Sequence, residues 1–265
     1  MQALESGTHK ESNTADSALC RAALYSALAL GFRPPSSETV THLLSPEGTA
    51  ILARSAALVD GQTTLASHIL KMAGVEERSL PSLIASYQRL FGHTACSAVS
   101  PYETEYGNES LFQQPQEMRD LAGFYRAFGL RLNVAEHERL DHISCECEFM
   151  LFLALKEVYA LEHADTAMGE ETSKAVRLFL RDHLGRFGPT FAKKLVGEDQ
   201  GGFYAALGEV CFSFLKCECE RVGVTVGPVD LGLRPVTDER VPMGCGSGTE
   251  CTAMPGVCES GEGEG

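Results

Sequence analysis

The sequence predicts an all-α protein: one multi-helix domain followed by a flexible C-terminal tail. Three observations carry this. Apolar residues recur at helical spacing along most of the chain up to Arg221. Strand signals are nearly absent before residue 222. The alternating strand–helix pattern of a sheet enzyme is missing.

The elements follow in order. Met1–Asn13 is polar and is expected to lack structure, so the helical domain is placed at residues 14–221. Ser17–Leu30 is Ala/Leu-rich, stops at Gly31 and is followed by Pro34-Pro35. Ser36-Ser37-Glu38 can cap the next helix. Pro46–Val59 and Thr63–Met72 read as short helices, the second ended by Gly74. Ser79–Phe91 follows with Pro81 in its first turn, where a missing N–H costs nothing. Residues 93–108 are irregular, with Ser-Pro-Tyr and Gly-Asn turn signals. Gln116–Phe128 is amphipathic through Met118, Leu121, Tyr125 and Phe128. Ala135–Glu162 is the longest periodic stretch. Glu171–Leu184, Pro189–Leu195 and Phe203–Arg221 complete the set. Residues 222–265 are rich in Gly, Pro and acids and end Gly-Glu-Gly-Glu-Gly. That composition buries too little apolar surface to offset ordering entropy.

At 265 residues the chain can bury a substantial core. Its formal net charge of −14 disfavours nucleic acid and anionic membrane surfaces and attracts basic segments. The start shows no basic region leading into an apolar run. The apolar stretch Ala18–Phe32 contains Arg21 and is shorter than the ~20 residues of a membrane span. A cytoplasmic protein, monomeric or homodimeric, is expected. Ten cysteines without an export signal read as reduced thiols. Cys-Glu-Cys-Glu occurs at Cys145–Glu148 and Cys217–Glu220, but helical residues two apart diverge by ~200° and cannot chelate one metal.

The most informative stretch is Glu138-Arg139-Leu140-Asp141-His142, running into Ile143-Ser144-Cys145-Glu146-Cys147-Glu148-Phe149-Met150. Leu140, Ile143, Cys147, Leu151, Ala154 and Val158 make a core face. Asp141, Cys145 and Glu148 lie on a second stripe with His142 beside it, a face suited to a cationic ligand. His137 and His142 are five apart and cannot share a zinc ion on one helix face. Asp141 and His142 as an acid–base pair lack any nucleophile motif. In a capping reading, Asp141 caps the helix and His142 bonds a neighbouring loop. Tyr102, Glu103, Glu105 and Tyr106 interleave aromatics with carboxylates, which matches guanidinium chemistry. A loop pinned by its Tyr rings, with solvated acids, is the other reading. No phosphate loop or dinucleotide fingerprint occurs. Cys245, Cys251 and Cys258 could reach one metal, but a fourth ligand is not evident.

These residues also carry a resemblance. Glu138–His142 resembles the Glu-Pro-x-Asp-His signature of the TorD/DmsD/NarJ family of molybdoenzyme-specific chaperones, with Arg139 in place of Pro, followed by the family's Glu-x-Glu-Phe-Met helix. Tyr87–Gly92 resembles its Tyr-x-x-Leu-Phe-Gly, Pro101–Gly107 its following loop, and Asp182–Phe187 the start of a late helix. The match spans roughly residues 17–220. The Pro101–Tyr106 loop and Gly123–Gly129 are similar to chaperones for periplasmic oxyanion reductases and related dehydrogenases. The resemblance implies a TorD-like helical bundle that is not an enzyme. It would bind the apo catalytic subunit of a molybdopterin oxidoreductase by its twin-arginine signal or N-terminal region and assist cofactor insertion before export. The client-binding candidates are Tyr102, Glu103, Glu105, Tyr106, Glu138, Asp141, His142 and Glu148. No cofactor is expected to bind stably, with at most transient contact with the client's molybdopterin. A second reading is a helical metal- or redox-active thiol protein delivering a cofactor through Cys245, Cys251 and Cys258. A small enzyme using Asp141 and His142 is a third.

Overall fold

The computed structural model describes residues 2–61, 63–76, 78–92, 99–107, 113–132 and 139–234, and for 2–13 the backbone only. The chain divides into Met1–Arg234 and Pro235–Gly265, the latter outside the described residues. The helices are α1 (Gln2–Phe32), α2 (Ser37–Thr39), α3 (Pro46–Asp60), α4 (Thr64–Ala73), α5 (Leu80–Phe91), α6 (Gln113–Ala127), α7 (Ile143–Glu162), α8 (Thr166–Asp182), α9 (Leu184–Glu198) and α10 (Phe203–Arg221). A π turn, Val40–Leu44, continues α2, and a 3-10 turn spans Glu103–Glu105. Two isolated β-bridges occur among the described residues, so the all-α expectation holds. No helix there is long and apolar enough to cross a membrane.

Local chemistry sets most boundaries. Ser45 and Ser79 accept the first free N–H groups of α3 and α5, and each helix has Pro in its first turn. Asp165 does the same for α8, and Asp199 accepts from Tyr204 and Ala205 at the start of α10. α10 has the limits its periodicity predicts.

The core is organised around α7. Arg21 pairs with Glu157 and Arg33 with Glu148, so α1 and α7 run antiparallel. α8 packs on α7, α9 on α10, and α3 and α4 on α1 and α10. Phe149 meets Phe124, Tyr125, Phe128 and Phe179, with ring centroids 6.2, 5.1, 5.6 and 4.7 Å away. Tyr25 packs on Phe214 and donates to buried Glu218 at 3.0 Å. Arg221 donates to the same carboxylate at 2.7 and 3.1 Å.

Four expectations change. Residues 2–13, read as unstructured, belong to α1, because no Pro or Gly-rich break precedes Ser17. α7 begins at Ile143, not Ala135. Residues 133–138 lie outside the described residues, while Asp141 lies in a turn closed by the His142 N–H on the Arg139 carbonyl and His142 forms an antiparallel bridge with Tyr102 that keeps it extended. α9 begins at Leu184, so Pro189 lies inside it. Proline there removes the N–H that would bond the Gly185 carbonyl. The Gly227 N–H bonds that carbonyl instead, at 2.9 Å.

That bond exposes the fourth change. The domain extends past 221 to Arg234. Residues 222–234 form a strap over α9: Thr190 Oγ1 donates to the Pro228 carbonyl at 2.8 Å, and the Leu231 N–H donates to Thr190 Oγ1 at 3.1 Å. Leu233 bridges to Tyr106, and the Gly107 N–H bonds the Gly232 carbonyl. The Arg234 side chain is 5% exposed, donating to the Thr104 carbonyl at 2.6 Å and to both Glu117 oxygens at 3.1 Å. Gly107 has φ +127°, a conformation that favours glycine, and a Cβ there would crowd the Arg234 guanidinium at 3.0 Å.

Truncation tests the strap. Ending the chain after Arg234 keeps these bonds, and ending it after Arg221 removes them. The shorter form is expected to melt about 5–10 °C below the longer, from loss of roughly 3 kcal/mol of bonding, with Glu117 left to Arg186 and Gln113. Equal melting temperatures by calorimetry would show that the strap adds nothing.

Candidate functional site

Three of the four resembling segments meet in one buried knot. The loop 99–107 pairs with the approach to α7: the Glu103 N–H donates to the Asp141 carbonyl at 2.8 Å, and the Ile143 N–H to the Pro101 carbonyl at 2.9 Å. Asp141 is fully buried. It accepts from the Thr104 N–H at 3.2 Å, from Thr104 Oγ1 at 2.7 Å, and from Arg139 Nε and Nη2 at 3.0 and 2.8 Å. Glu103 is also fully buried. Arg186 donates to its Oε1 at 2.7 Å and His183 Nδ1 lies 3.0 Å from its Oε2. Phe187 packs on Tyr106, whose hydroxyl donates to the Ser100 carbonyl at 2.7 Å. Gly185 is required here, because a Cβ would lie 2.2 Å from the Leu180 carbonyl oxygen. The fourth segment is built into the core by Leu90 and Phe91, while Arg89 holds Asp199.

The predicted client-binding residues therefore divide. Glu103, Tyr106, Asp141 and His142 are interior and serve the fold. Asp141 and His142 are not on an exposed helix start, and Asp141 does not share a surface stripe with Glu148. Tyr102, Glu105 and Glu148 reach solvent, and Glu138 lies outside the described residues. The loop does hold a guanidinium, but it is the chain's own. Arg139 lies 4.3 Å over the Tyr102 ring and donates to Glu105 at 3.2 Å. Arg139, where the resembled signature has proline, thus supplies a cation that locks the loop. Cys245, Cys251 and Cys258 lie outside the described residues. Among the described residues, no metal-ligating cluster of three or more His, Cys, Asp or Glu occurs.

His142 caps α7 in an unusual way. Its Nδ1 accepts the Ser144 N–H at 3.2 Å, which requires a neutral ring. Burial, then the charges of Arg139 and Arg33, lower its pKa to about 4. Glu146 is fully buried with both oxygens lacking a hydrogen-bond partner. Burial, then the charges of Glu103 and Asp141, raise its pKa well above the carboxylate range, so it is held as the neutral acid.

Two cavities adjoin Glu148. One, about 620 Å³, lies between α1, α3 and α7 and is lined by Ala27, Leu30, Ile51, Leu52 and Leu151, with Glu38 and His42. The other, about 340 Å³, is lined by Tyr125, Leu130, Leu132, Phe149 and Phe152, with Arg131. Arg33 and Glu148 line both and pair with each other. Sequence reasoning selected Glu148 but missed Arg33, Glu38 and His42. The only signal was a cation at the α1 stop just before Pro34-Pro35.

Three substitutions test the knot. Asp141→Ala leaves the Thr104 donors without their buried acceptor and Arg139 with Glu105 and Thr104 only, and is expected to cost about 3 kcal/mol in denaturant unfolding. A loss below about 1 kcal/mol would show the network to be dispensable. The neutral His142 makes the unfolded state the better proton binder, so stability falls as pH drops from 6.5 to about 4. His142→Asn keeps a capping oxygen and should remove up to about 3 kcal/mol of that loss. Parallel pH profiles would refute the buried neutral ring. Glu146 has the opposite sign: its raised pKa penalises folding as pH rises above the unfolded carboxylate value. Glu146→Gln should therefore stabilise more at pH 8 than at pH 5, and an equal or smaller gain at pH 8 would contradict a neutral Glu146.

Comparison with known proteins agrees with the resemblance. Residues 54–193, more than half of the chain and containing all four segments, match the nitrate reductase delta subunit family. The chain is similar to the perchlorate reductase assembly chaperone protein of Dechloromonas aromatica, 26% identical over 78% of this chain and 92% of that protein. It is 29% identical to the selenate reductase assembly chaperone protein of Thauera selenatis, over 63% of this chain and 94% of that protein. It is 27% identical to the chaperone protein TorD of Photobacterium profundum, over 51% of this chain and 62% of that protein. The chain belongs to the nitrate reductase delta subunit family, the TorD/DmsD/NarJ group of molybdoenzyme-maturation chaperones, and is not an enzyme.

Proposed function

We propose that this protein is a dedicated cytoplasmic chaperone for the apo catalytic subunit of a molybdopterin oxidoreductase. It holds that subunit by its twin-arginine signal or N-terminal region until the molybdopterin is inserted, and so delays export. The observation that carries the reading is the family match across all four segments, joined to relatives named as reductase assembly chaperones. Those relatives serve perchlorate and selenate reductases, which favours an oxyanion reductase or a related dehydrogenase as client.

The chemistry fits. A net charge of −14 steers a basic segment toward the chain. Half-exposed Glu148 between two apolar-walled cavities can take an arginine while the walls take the apolar stretch that follows it. No turnover is needed. Release requires only that cofactor loading lower the client's affinity for this chain. Any contact with the client's molybdopterin is transient.

Affinity purification from the native host tests this. The tagged chaperone should recover one molybdoenzyme large subunit in its cofactor-free form, and a strain lacking the chaperone should accumulate that subunit without molybdenum. Equal recovery of cofactor-free and loaded subunit would remove the retention step.

A further inference from the structure

The Arg33–Glu148 ion pair sits at the junction of two cavities of about 620 and 340 Å³, and these two side chains line both. It lies where α1 ends and α7 begins. From there apolar side chains run along the outer face of α7, with Leu151 followed at four-residue spacing by exposed Leu155 and Tyr159. Ile51 of α3, 56% exposed, faces the same groove. A guanidinium is thus already seated on an acid at the head of an apolar groove. Both partners are 38% exposed, so the pair is screened and exchangeable.

We propose that Arg33 is a built-in competitor for the client's arginine: an incoming arginine displaces Arg33 from Glu148, and the apolar residues behind it lie along Ile51, Leu151 and Leu155. This rests on the function proposed above and names the seat and its gate. Charge complementarity selects the occupant. An acid whose resident partner is an arginine can accept a second arginine by the same guanidinium–carboxylate chemistry. Displacement also frees the side chain that separates the two cavities, so the groove lengthens when it is filled. The competitor weakens every basic segment and leaves net retention to those that also satisfy the apolar walls.

The test uses the full chain and a synthetic peptide with two adjacent arginines followed by about a dozen apolar residues, measured by calorimetry. Arg33→Gln should bind about two- to fivefold tighter, the worth of a half-exposed pair. Lys174→Gln on α8 removes the same charge elsewhere and should change affinity far less. Glu148→Gln should weaken binding about five- to tenfold, and Arg33→Gln should not help a peptide whose arginines are glutamines. Ile51→Ser, at an exposed site, should weaken both peptides. Arg33→Gln that weakens binding, leaves it unchanged, or matches Lys174→Gln overturns the gate. If the client subunit still co-purifies in that case, the chaperone reading stands and only the seat is wrong. A peptide that binds neither wild type nor Arg33→Gln overturns the groove as a receptor. A concentration-dependent dimer abolished by Ile51→Ser assigns the groove to a second copy and overturns it likewise.

Discussion

The fold depends on burying two carboxylates, Glu103 and Asp141, each of which takes at least one partner from a distant segment: Arg186 for Glu103 and Thr104 for Asp141. Burial of an isolated carboxylate costs several kcal/mol, and only close pairing with full hydrogen bonding offsets it. Asp141 meets that demand with Thr104 and Arg139, and Glu103 with His183 and Arg186. The loop 99–107, the approach to α7 and the start of α9 therefore have one mutually satisfying arrangement. Each charge is acceptable only while the other segments are in place. Such a knot adds little net stability, and an arrangement that separated its segments would strand its buried charges.

A second closure depends on the first. Pro189 leaves one carbonyl of α9 without a donor, and the chain after α10 returns to supply it through Gly227. The same strap then reaches the knot's loop, where Arg234 bonds Glu117 and the Thr104 carbonyl and Gly107 makes room for it. A helix-interior proline is tolerated because another backbone carries its lost bond. The end of the domain is thereby set at 234 rather than at the last helix.

Periodicity made the helices legible, and α10 needed nothing more. It failed where backbone bonds go to another segment. Asp141 and His142 look helical in sequence, yet Asp141 lies in a turn, the bridge to Tyr102 holds His142 extended, and α7 starts at Ile143. Acids read as solvent-facing at 103 and 141 were interior, because a sequence does not show which distant partner will meet them. Composition likewise concealed the strap: residues 222–234 have no apolar period because they are held by backbone bonds and the Arg234 side chain. The chemistry read from Tyr102 and Glu105 was of the right kind, but Arg139 supplied the guanidinium from within. Of the candidate site, Glu148 was legible, while its partner Arg33 was hidden behind a helix stop.

These placements separate two classes of ion pair that a signature runs together. Those of Glu103 and Asp141 are buried at the carboxylate, and breaking one strands a charge in the interior at a cost of about 3–5 kcal/mol. Such pairs cannot exchange partners while the domain stays folded. The Arg33–Glu148 pair is half exposed on both sides, worth at most about 1 kcal/mol, and can be traded at little cost. A chaperone that must grip a basic segment and later let it go needs the second class at its surface and the first beneath it. The resembling residues thus account for why the chain folds as its family does. Glu148, the exposed acid of the same signature, is the seat proposed for recognition, because its arginine can be replaced.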